Sequence, residues 1–383
     1  MHKVLVHYAE IALKGRNRYY FEDKVIENIK KSASYFNVNL KRVRKEYKRL
    51  LCIFEDSPEN IKIVLGHVFG IRYFCIVEEL PKKTESVLQF TERFLKENKK
   101  KGFTSVSFKT KRADKTFPLT SVELNTQFGE IASQLGLKVD YSHAPITLFT
   151  EITEKEIYCF SEKLQGAKGL PVSSGGKVLV LLSGGIDSPV SAWQIMSRGC
   201  SVDFMHVHPF SQSNQAEKIE TLVKILNKFQ WNSKLYLISY APYEAYVSGK
   251  IPSKYDLVFF KHYLLKLGEK LALDLGYDAI VTGDNLGQVA SQTIENMKAS
   301  GFGLQVPLFT PLLTHDKETI IEQAKKIETY DLSIKSYKDC CSLFALHPST
   351  RTKLSYFQNL VKKIPMEKLV EKSLENMEIK IIA

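Results

Sequence analysis

Ser183-Gly184-Gly185-Ile186-Asp187-Ser188 places two hydroxyls, two glycines and a carboxylate directly after the apolar run KVLVLL (177–182). Consecutive glycines let the chain turn tightly and expose successive N–H groups with no side chain in the way. Ser188 suits a helix N-cap and Pro189 a first helical position, so a helix is expected to start there. Its unpaired N–H groups and dipole then face the loop, which makes an anion site fitted to phosphate. Asp187, among those donors, is placed to hold Mg²⁺ against phosphate oxygens. No GK[ST] closes the loop, so it is not the Walker A pattern.

The remaining chemistry-bearing residues are fewer. Six cysteines stand at 52, 75, 159, 200, 340 and 341. None forms a CxxC pair, which argues against a zinc ribbon and against a disulfide framework. Adjacent Cys340-Cys341 is also badly placed to chelate zinc tetrahedrally. His206 and His208 alternate along an expected strand, face opposite sides and cannot share one metal.

These residues need a scaffold, and the pattern after residue 176 supplies one. KVLVLL is continuous and apolar, as in a central parallel strand covered on both faces. PVSAWQIMSRG reads as a helix, and SVDFMHVH, KLYLISY and DAIVTG as further strands, which indicates a doubly wound α/β sheet. In such a sheet ligands bind at the carboxyl ends of the strands, where the strand order reverses. Upstream, 1–56 and 57–165 each mix strands with helices and read as two small α+β domains, and GAKGLPVSSGGK reads as a linker, taken as 166–176. The expected third domain is 177–383.

Charge separates the halves. Residues 1–170 carry 30 Lys/Arg against 21 Asp/Glu, a net of +9, whereas 171–383 carry 24 against 21, a net of +3. A basic half joined to a near-neutral half suggests a polyanion-gripping module. With 44% hydrophobic and 25% charged residues the chain is globular in composition, which excludes disordered and collagen-like classes. No run approaches the ~18 apolar residues of a membrane span, and MHKVLVHYAE has no apolar leader region, so a cytoplasmic protein without a membrane role is expected.

SGGIDSPV resembles the PP-loop of the N-type ATP pyrophosphatases. Three further stretches, HYAEIALKGRNR, Thr282-Gly283-Asp284-Asn285-Leu286-Gly287-Gln288-Val289-Ala290-Ser291-Gln292-Thr293 and Asp339-Cys340-Cys341, resemble the tRNA 4-thiouridine synthetases, the ThiI family, in a form without the rhodanese domain. The likeness runs almost end to end, to about residue 350. It implies a ferredoxin-like domain (1–56) and a THUMP domain (57–165) that bind tRNA ahead of the PP-loop domain. SFKTKRADKTFPLTSVE is similar to the THUMP core. Lys109, Lys111, Arg112 and Lys115 are candidate phosphate contacts there, with Lys14, Arg16 and Arg18 in the first block.

The same resemblance implies the reaction. O4 of uridine at position 8 attacks the α-phosphate of ATP, pyrophosphate leaves, and sulfur then displaces AMP to give 4-thiouridine. ATP is expected against Leu181, Leu182, Ser183, Gly184, Gly185, Asp187, Ser188, His206, Val207, Lys261, Gly283 and Gln292, with Mg²⁺ on Asp187. Lys317, in THDKETII, matches the family's late-helix lysine and would stabilise developing charge. Cys341 matches the persulfide-bearing cysteine, and a thiolate beside a positive phosphate site is the more reactive form.

Two departures stand out. Lys261-His262 replaces two arginines, so the bidentate fork is lost. Forty-two residues follow Cys341 without another cysteine. Sulfur is therefore expected from a separate cysteine desulfurase or a free rhodanese, and a thiazole-forming role is less expected. A homodimer is the family expectation. The alternatives are a PP-loop ligase acting on another tRNA base or a small molecule, and a silent tRNA-binding protein. The first leaves Cys341 and the basic half unexplained, and the second leaves SGGIDS unexplained.

Overall fold

The computed structural model describes residues 1–13, 15–46, 49–209, 216–336 and 348–383. The chain forms two compact units. One comprises 1–14, 36–66 and 71–168, and the other 15–35, 67–70 and 169–383.

The first unit holds strands β1 (His2–Tyr8), β2 (Leu40–Glu46), β3 (Arg49–Phe54), β4 (Ile71–Pro81), β5 (Ser105–Arg112), β6 (Lys138–Val139), β7 (Thr147–Ile152), β8 (Glu156–Phe160) and β9 (Leu164–Gln165). The order is β2-β3-β1-β4-β8-β7-β5-β6, with β9 paired to β4. β4 is long enough to serve two partners in succession: Ile71–Val77 pair antiparallel with β1, and Glu78–Pro81 with β8. One sheet thus runs through both sequence blocks on either side of residue 56. Helices α2 (Pro58–Gly66), α3 (Thr84–Lys100) and α4 (Ser121–Gln134) belong to this unit, whereas α1 (Arg18–Tyr35) does not. α4 starts with a capping box, in which Thr120 accepts from the Glu123 N–H and Glu123 accepts from the Thr120 N–H. Val106, Phe108, Leu124, Phe128 and Leu148 form the apolar core beneath α3 and α4.

The second unit carries β10 (Lys177–Leu181), α5 (Asp187–Ser197), β11 (Ser201–His208), α6 (Glu217–Asn227), β12 (Ser233–Ser239), α7 (Ala241–Val247), α8 (Asp256–Leu275), β13 (Ala279–Val281), α9 (Ile294–Ser300), β14 (Leu308–Phe309), α10 (Lys317–Lys326), α11 (Tyr330–Ser333), α12 (Leu354–Val361), α13 (Met366–Leu374) and β15 (Glu378–Ile382). The sheet order is β14-β13-β10-β11-β12-β15. β14 to β12 are parallel and β15 closes one edge antiparallel to β12. The chain winds β10-β11-β12 in one direction and then returns to place β13 on the other side of β10. The order therefore reverses at β10, which is the doubly wound sheet expected from the alternating apolar runs. Val178, Leu179 and Val180 are fully or almost fully buried, as a central strand covered on both faces requires.

Helix α1 completes the second unit. Asn28 donates to the Val172 carbonyl at 3.2 Å. Phe69, from 67–70, packs its ring 5.3 Å from Trp193 and 5.5 Å from Phe229. No helix among the described residues is long and apolar enough to cross a membrane.

Candidate functional site

Two loops meet at the reversal point, one leaving β10 and the other leaving β13. The first carries Ser183 to Ile186 into α5. The second, 282–292, presses against it so closely that a Cβ on Gly283 would lie 2.7 Å from the Ser188 nitrogen and 2.9 Å from the Asp187 carbonyl carbon. Only glycine permits that approach. Ser191 Oγ donates to the Thr282 carbonyl at 2.7 Å and fastens the two elements together.

The helix start differs from the expectation. α5 begins at Asp187, and no side chain caps it. Ser188 does not serve as N-cap; its hydroxyl accepts from the Ser183 N–H at 2.9 Å and donates to the Ser183 carbonyl at 3.2 Å. Pro189 consequently stands at the third helical position, still within the first turn, where its missing N–H costs nothing. Tying Ser188 backward shapes the loop and leaves the first-turn N–H groups available to an anion, with the helix dipole behind them.

Asp187 is the electrostatic centre. Its Oδ1 accepts from Lys317 Nζ at 2.7 Å and its Oδ2 from Gln288 Nε2 at 3.0 Å. Lys317 is the first residue of α10, whose N-cap Asp316 accepts from the Thr319 N–H at 2.7 Å. Asn285 fixes the approach to that helix by donating to the Leu312 carbonyl at 3.0 Å and to the His315 carbonyl. A second pair lies close by in sequence: Lys261 Nζ meets Asp284 Oδ1 at 2.6 Å, with Thr282 Oγ1 on Oδ2 at 2.9 Å and Gln292 Nε2 on Oδ1 at 3.3 Å. Lys261 thus neutralises a buried carboxylate and does not stand as an isolated phosphate fork.

At the neighbouring strand ends, Leu182 and Val207 are buried and Leu181 is half-buried. His206, also buried, has Nδ1 2.8 Å from the Leu182 carbonyl. A carbonyl only accepts, so Nδ1 carries the proton and the ring orientation is fixed. A single carboxylate beside a ready phosphate cradle suits Mg²⁺, which takes one or two carboxylates and completes its shell with phosphate oxygens and water. No group of three or more metal-ligating acids, histidines or cysteines occurs among the described residues, so any such ion depends on the phosphates. A cavity of about 600 Å³ lined by Trp193, Arg198, Phe309 and Pro311 lies along the C-terminal turns of α5, away from this loop, and lacks its charged groups.

Of the expected site residues, Ser183, Asp187, Ser188, Lys261, Gly283, Gln292 and Lys317 are brought together by the two loops and their neighbours. Asp284, Asn285 and Gln288 were not singled out from the sequence, although the quoted 282–293 stretch contains all three. Cys341 and Lys14 lie outside the described residues, as does the side chain of Arg16. Arg18 donates to buried Glu22 at 2.6 Å. Cys52, Cys75 and Cys159 are buried in the first unit, and burial pushes each thiol up to about 12. Cys200 donates to the Gly175 carbonyl at 3.3 Å, and burial raises its pKa too. All four are poor nucleophiles.

In the first unit Lys109, Lys111 and Lys115 are exposed, whereas the Arg112 guanidinium braces its own loop by donating to the Phe117 and Leu119 carbonyls at 3.0 and 2.9 Å. Lys109 and Lys111 share a sheet face with Phe149 and Glu151, their register partners on β7. Lys163 Nζ sits 4.1 Å from the Phe149 ring centroid and 5.3 Å from that of Tyr73, and Tyr73 stacks on His7 at 4.3 Å. Cations among aromatic rings are the composition of a nucleic-acid face.

Comparison with known proteins agrees with this geometry. Residues 173–366 match the family described as "Thiamine biosynthesis protein (ThiI)", and residues 3–75 match the "ThiI ferredoxin-like domain". A "Probable tRNA sulfurtransferase" of Alkaliphilus oremlandii is 32% identical over 394 residues, covering 99% of this chain and 98% of that one. Another of Caldanaerobacter subterraneus is 34% identical over 373 residues, covering 96% and 97%. A solved structure described as "a 4-thiouridine synthetase - RNA complex with bound ATP" superposes with a TM-score of 0.88 at 30% identity, covering all of both chains. Likeness at this level along the whole length, over a PP-loop with its lysine and carboxylate in contact, leaves no doubt of descent: the chain belongs to the ThiI family.

Proposed function

We propose that this protein is an ATP-dependent tRNA sulfurtransferase that converts uridine 8 of tRNA to 4-thiouridine in the cytoplasm. The observation that carries the reading is the Lys317–Asp187–Gln288 array at the uncapped N-terminus of α5. ATP lies with its phosphates on that N-terminus and on Ser183–Ser188, and its base toward Leu182, Val207 and Gln292. Asp187 would hold Mg²⁺ together with phosphate oxygens, and the ion would neutralise charge on the departing pyrophosphate.

Uridine O4 attacks the α-phosphorus. The O4–P bond forms, the bond to pyrophosphate breaks, and the N3 proton passes to solvent. Lys317 and the helix N-terminus stabilise the charge that develops on the leaving oxygens. The terminal sulfur of a Cys341 persulfide then attacks C4, and AMP leaves with the original oxygen. An external thiol attacks the Cys341 sulfur of the resulting disulfide, releases the thiolated base and is later recovered by a thiol reductant. A cysteine desulfurase or a separate rhodanese reloads the persulfide.

Residues 1–56 and 57–165 act as ferredoxin-like and THUMP modules that hold tRNA phosphates through Lys14, Arg16, Arg18, Lys109, Lys111, Arg112 and Lys115, in a homodimer. The basic excess of this half and its lysine–aromatic face support that assignment. Nucleoside mass spectrometry on unmodified tRNA with ATP, Mg²⁺ and sulfide tests the reaction, with Asp187→Ala as control. 4-Thiouridine is the expected product. A folded, ATP-binding protein that forms none overturns the reading. With a persulfide donor in place of sulfide, Cys341→Ser is expected to form none.

A further inference from the structure

Two glutamines four positions apart in the 282–292 loop each turn an amide nitrogen to a carboxylate, Gln288 to Asp187 and Gln292 to Asp284. An ionised carboxylate only accepts, so in each case the amide oxygen faces away from it. Both oxygens, Gln288 Oε1 and Gln292 Oε1, are shielded from solvent and find no donor among the described residues. A buried acceptor left unmet is costly, and within a binding site it is open to a donor from a ligand. Gln292 belongs to the nucleotide pocket proposed above. Gln288 has no such assignment.

Its surroundings suit a nucleobase. Leu286 and Val289, on either side in sequence, expose 44% and 49% of their surfaces and leave apolar area free in the same loop. Enzymes that act on a base take it out of its stack, hold it between apolar side chains and read its pairing edge through hydrogen bonds. The base atom that attacks phosphorus is O4, bonded to C4, and one of the two ring atoms beside C4 is N3. In uracil N3 carries a proton; in cytosine it is a bare acceptor. An acceptor close to Asp187 therefore faces a donor in uracil and a repelling lone pair in cytosine.

We infer that Gln288 Oε1 accepts the N3–H of the target uracil and is the residue that distinguishes uracil from cytosine; the inference rests on the thiolation reading above. Asp187 has two tasks in this arrangement, orienting the amide of Gln288 as well as serving the phosphates. The amide is thereby fixed with its oxygen turned away from Asp187 before the base arrives.

The test combines a base change with a side-chain change. Two tRNAs serve as inhibitors of thiolation: product tRNA with 4-thiouridine at position 8, which keeps N3–H, and tRNA with 3-methyluridine there, which lacks it. The wild type is expected to bind the first about 10-fold or more tightly than the second, and Gln288→Met to abolish that preference. The same variant is expected to retain ATP affinity within about 2-fold while single-turnover thiolation falls about 10- to 100-fold. A wild-type protein indifferent to N3 methylation overturns the inference however the variant behaves. So does a variant that keeps the preference, or one whose ATP affinity falls in step with its rate, since Gln288 would then act through Asp187 alone. Absence of 4-thiouridine from the wild type overturns the thiolation reading and this inference together.

Discussion

Lys317 Nζ lies 2.7 Å from Asp187 Oδ1, although 130 positions separate the two residues in the chain. The contact joins the first turn of α10 to the first turn of α5, so two helix starts and one ion pair converge on the same point. A lysine in a first turn works against its own helix dipole. Here a carboxylate from the neighbouring helix compensates it, and the ammonium is kept where phosphate charge would gather. Lys317→Ala is expected to lower single-turnover pyrophosphate release about 100-fold or more, with Lys317→Arg intermediate. Rapid-quench assays with labelled ATP check this.

Asn285 acts on that lysine from behind, by holding the turn before α10 through the Leu312 and His315 carbonyls. Asn285→Leu leaves both carbonyls without this donor while changing no group expected to touch ATP. The predicted result is a rate about 10-fold lower with ATP affinity changed less, read by comparing turnover with equilibrium nucleotide binding.

Gly283 and Gly185 separate two roles of glycine in one site. A Cβ at Gly283 meets backbone at 2.7 Å, whereas one at Gly185 finds its nearest neighbour, Ser183 Oγ, at 3.6 Å. Gly283→Ala must displace the start of α5 and is expected to lower both the melting temperature and ATP affinity. Gly185→Ala is expected to leave the melting temperature nearly unchanged. Calorimetry on the two variants distinguishes them.

Much of this site was legible in the sequence because its signals are local. Paired glycines after an apolar strand, and a serine and proline at a helix start, act within a few residues, and they located the start of α5 to within two positions. What Ser188 does was not legible, since a serine near a helix start suits either a cap or a backward tie to Ser183. Gln288 and Asp284 escaped for a related reason: spacing along an irregular loop does not tell which way a side chain turns. Resemblance picked Lys317, but its partner emerged only from the packing of α10 on α5. The alternating runs predicted the doubly wound sheet. They did not predict that α1 belongs to the second unit, because an amphipathic pattern says that a face is covered and not by what.

His7 makes the first unit acid-sensitive. Burial, with Arg49, Lys111 and Lys163 nearby, holds its pKa down from 6.5 to about 4, against the pull of Glu151. The unfolded chain takes up this proton near 6.5 and the folded chain only near 4. The contribution to stability is therefore complete above about pH 6.5 and is lost as the pH falls toward 4, with a limit of about 3 kcal/mol. His7→Phe keeps a ring against Tyr73 and is expected to flatten the dependence. Urea midpoints at about pH 7.5 and about pH 5 for both proteins measure it.

Arg49 and Glu151 form an ion pair in the same unit, with side chains only 9% and 10% exposed. Arg49→Met strands a buried carboxylate and is expected to cost about 3–5 kcal/mol, whereas Arg49→Met with Glu151→Leu is expected to recover much of the loss. A double-mutant cycle by urea denaturation tests both statements.

The two units are interleaved along the chain in six alternating segments. Asn28, encoded between β1 and β2, reaches the Val172 carbonyl of the nucleotide-binding unit. Cutting the gene at the Gly- and Ser-rich stretch near residue 170 would therefore deprive the downstream piece of a helix that it needs to cover its own surface. A fusion or shuffling event that moved only the C-terminal portion would face the same defect. No single cut of the chain therefore separates the two units, even though each has a sheet of its own.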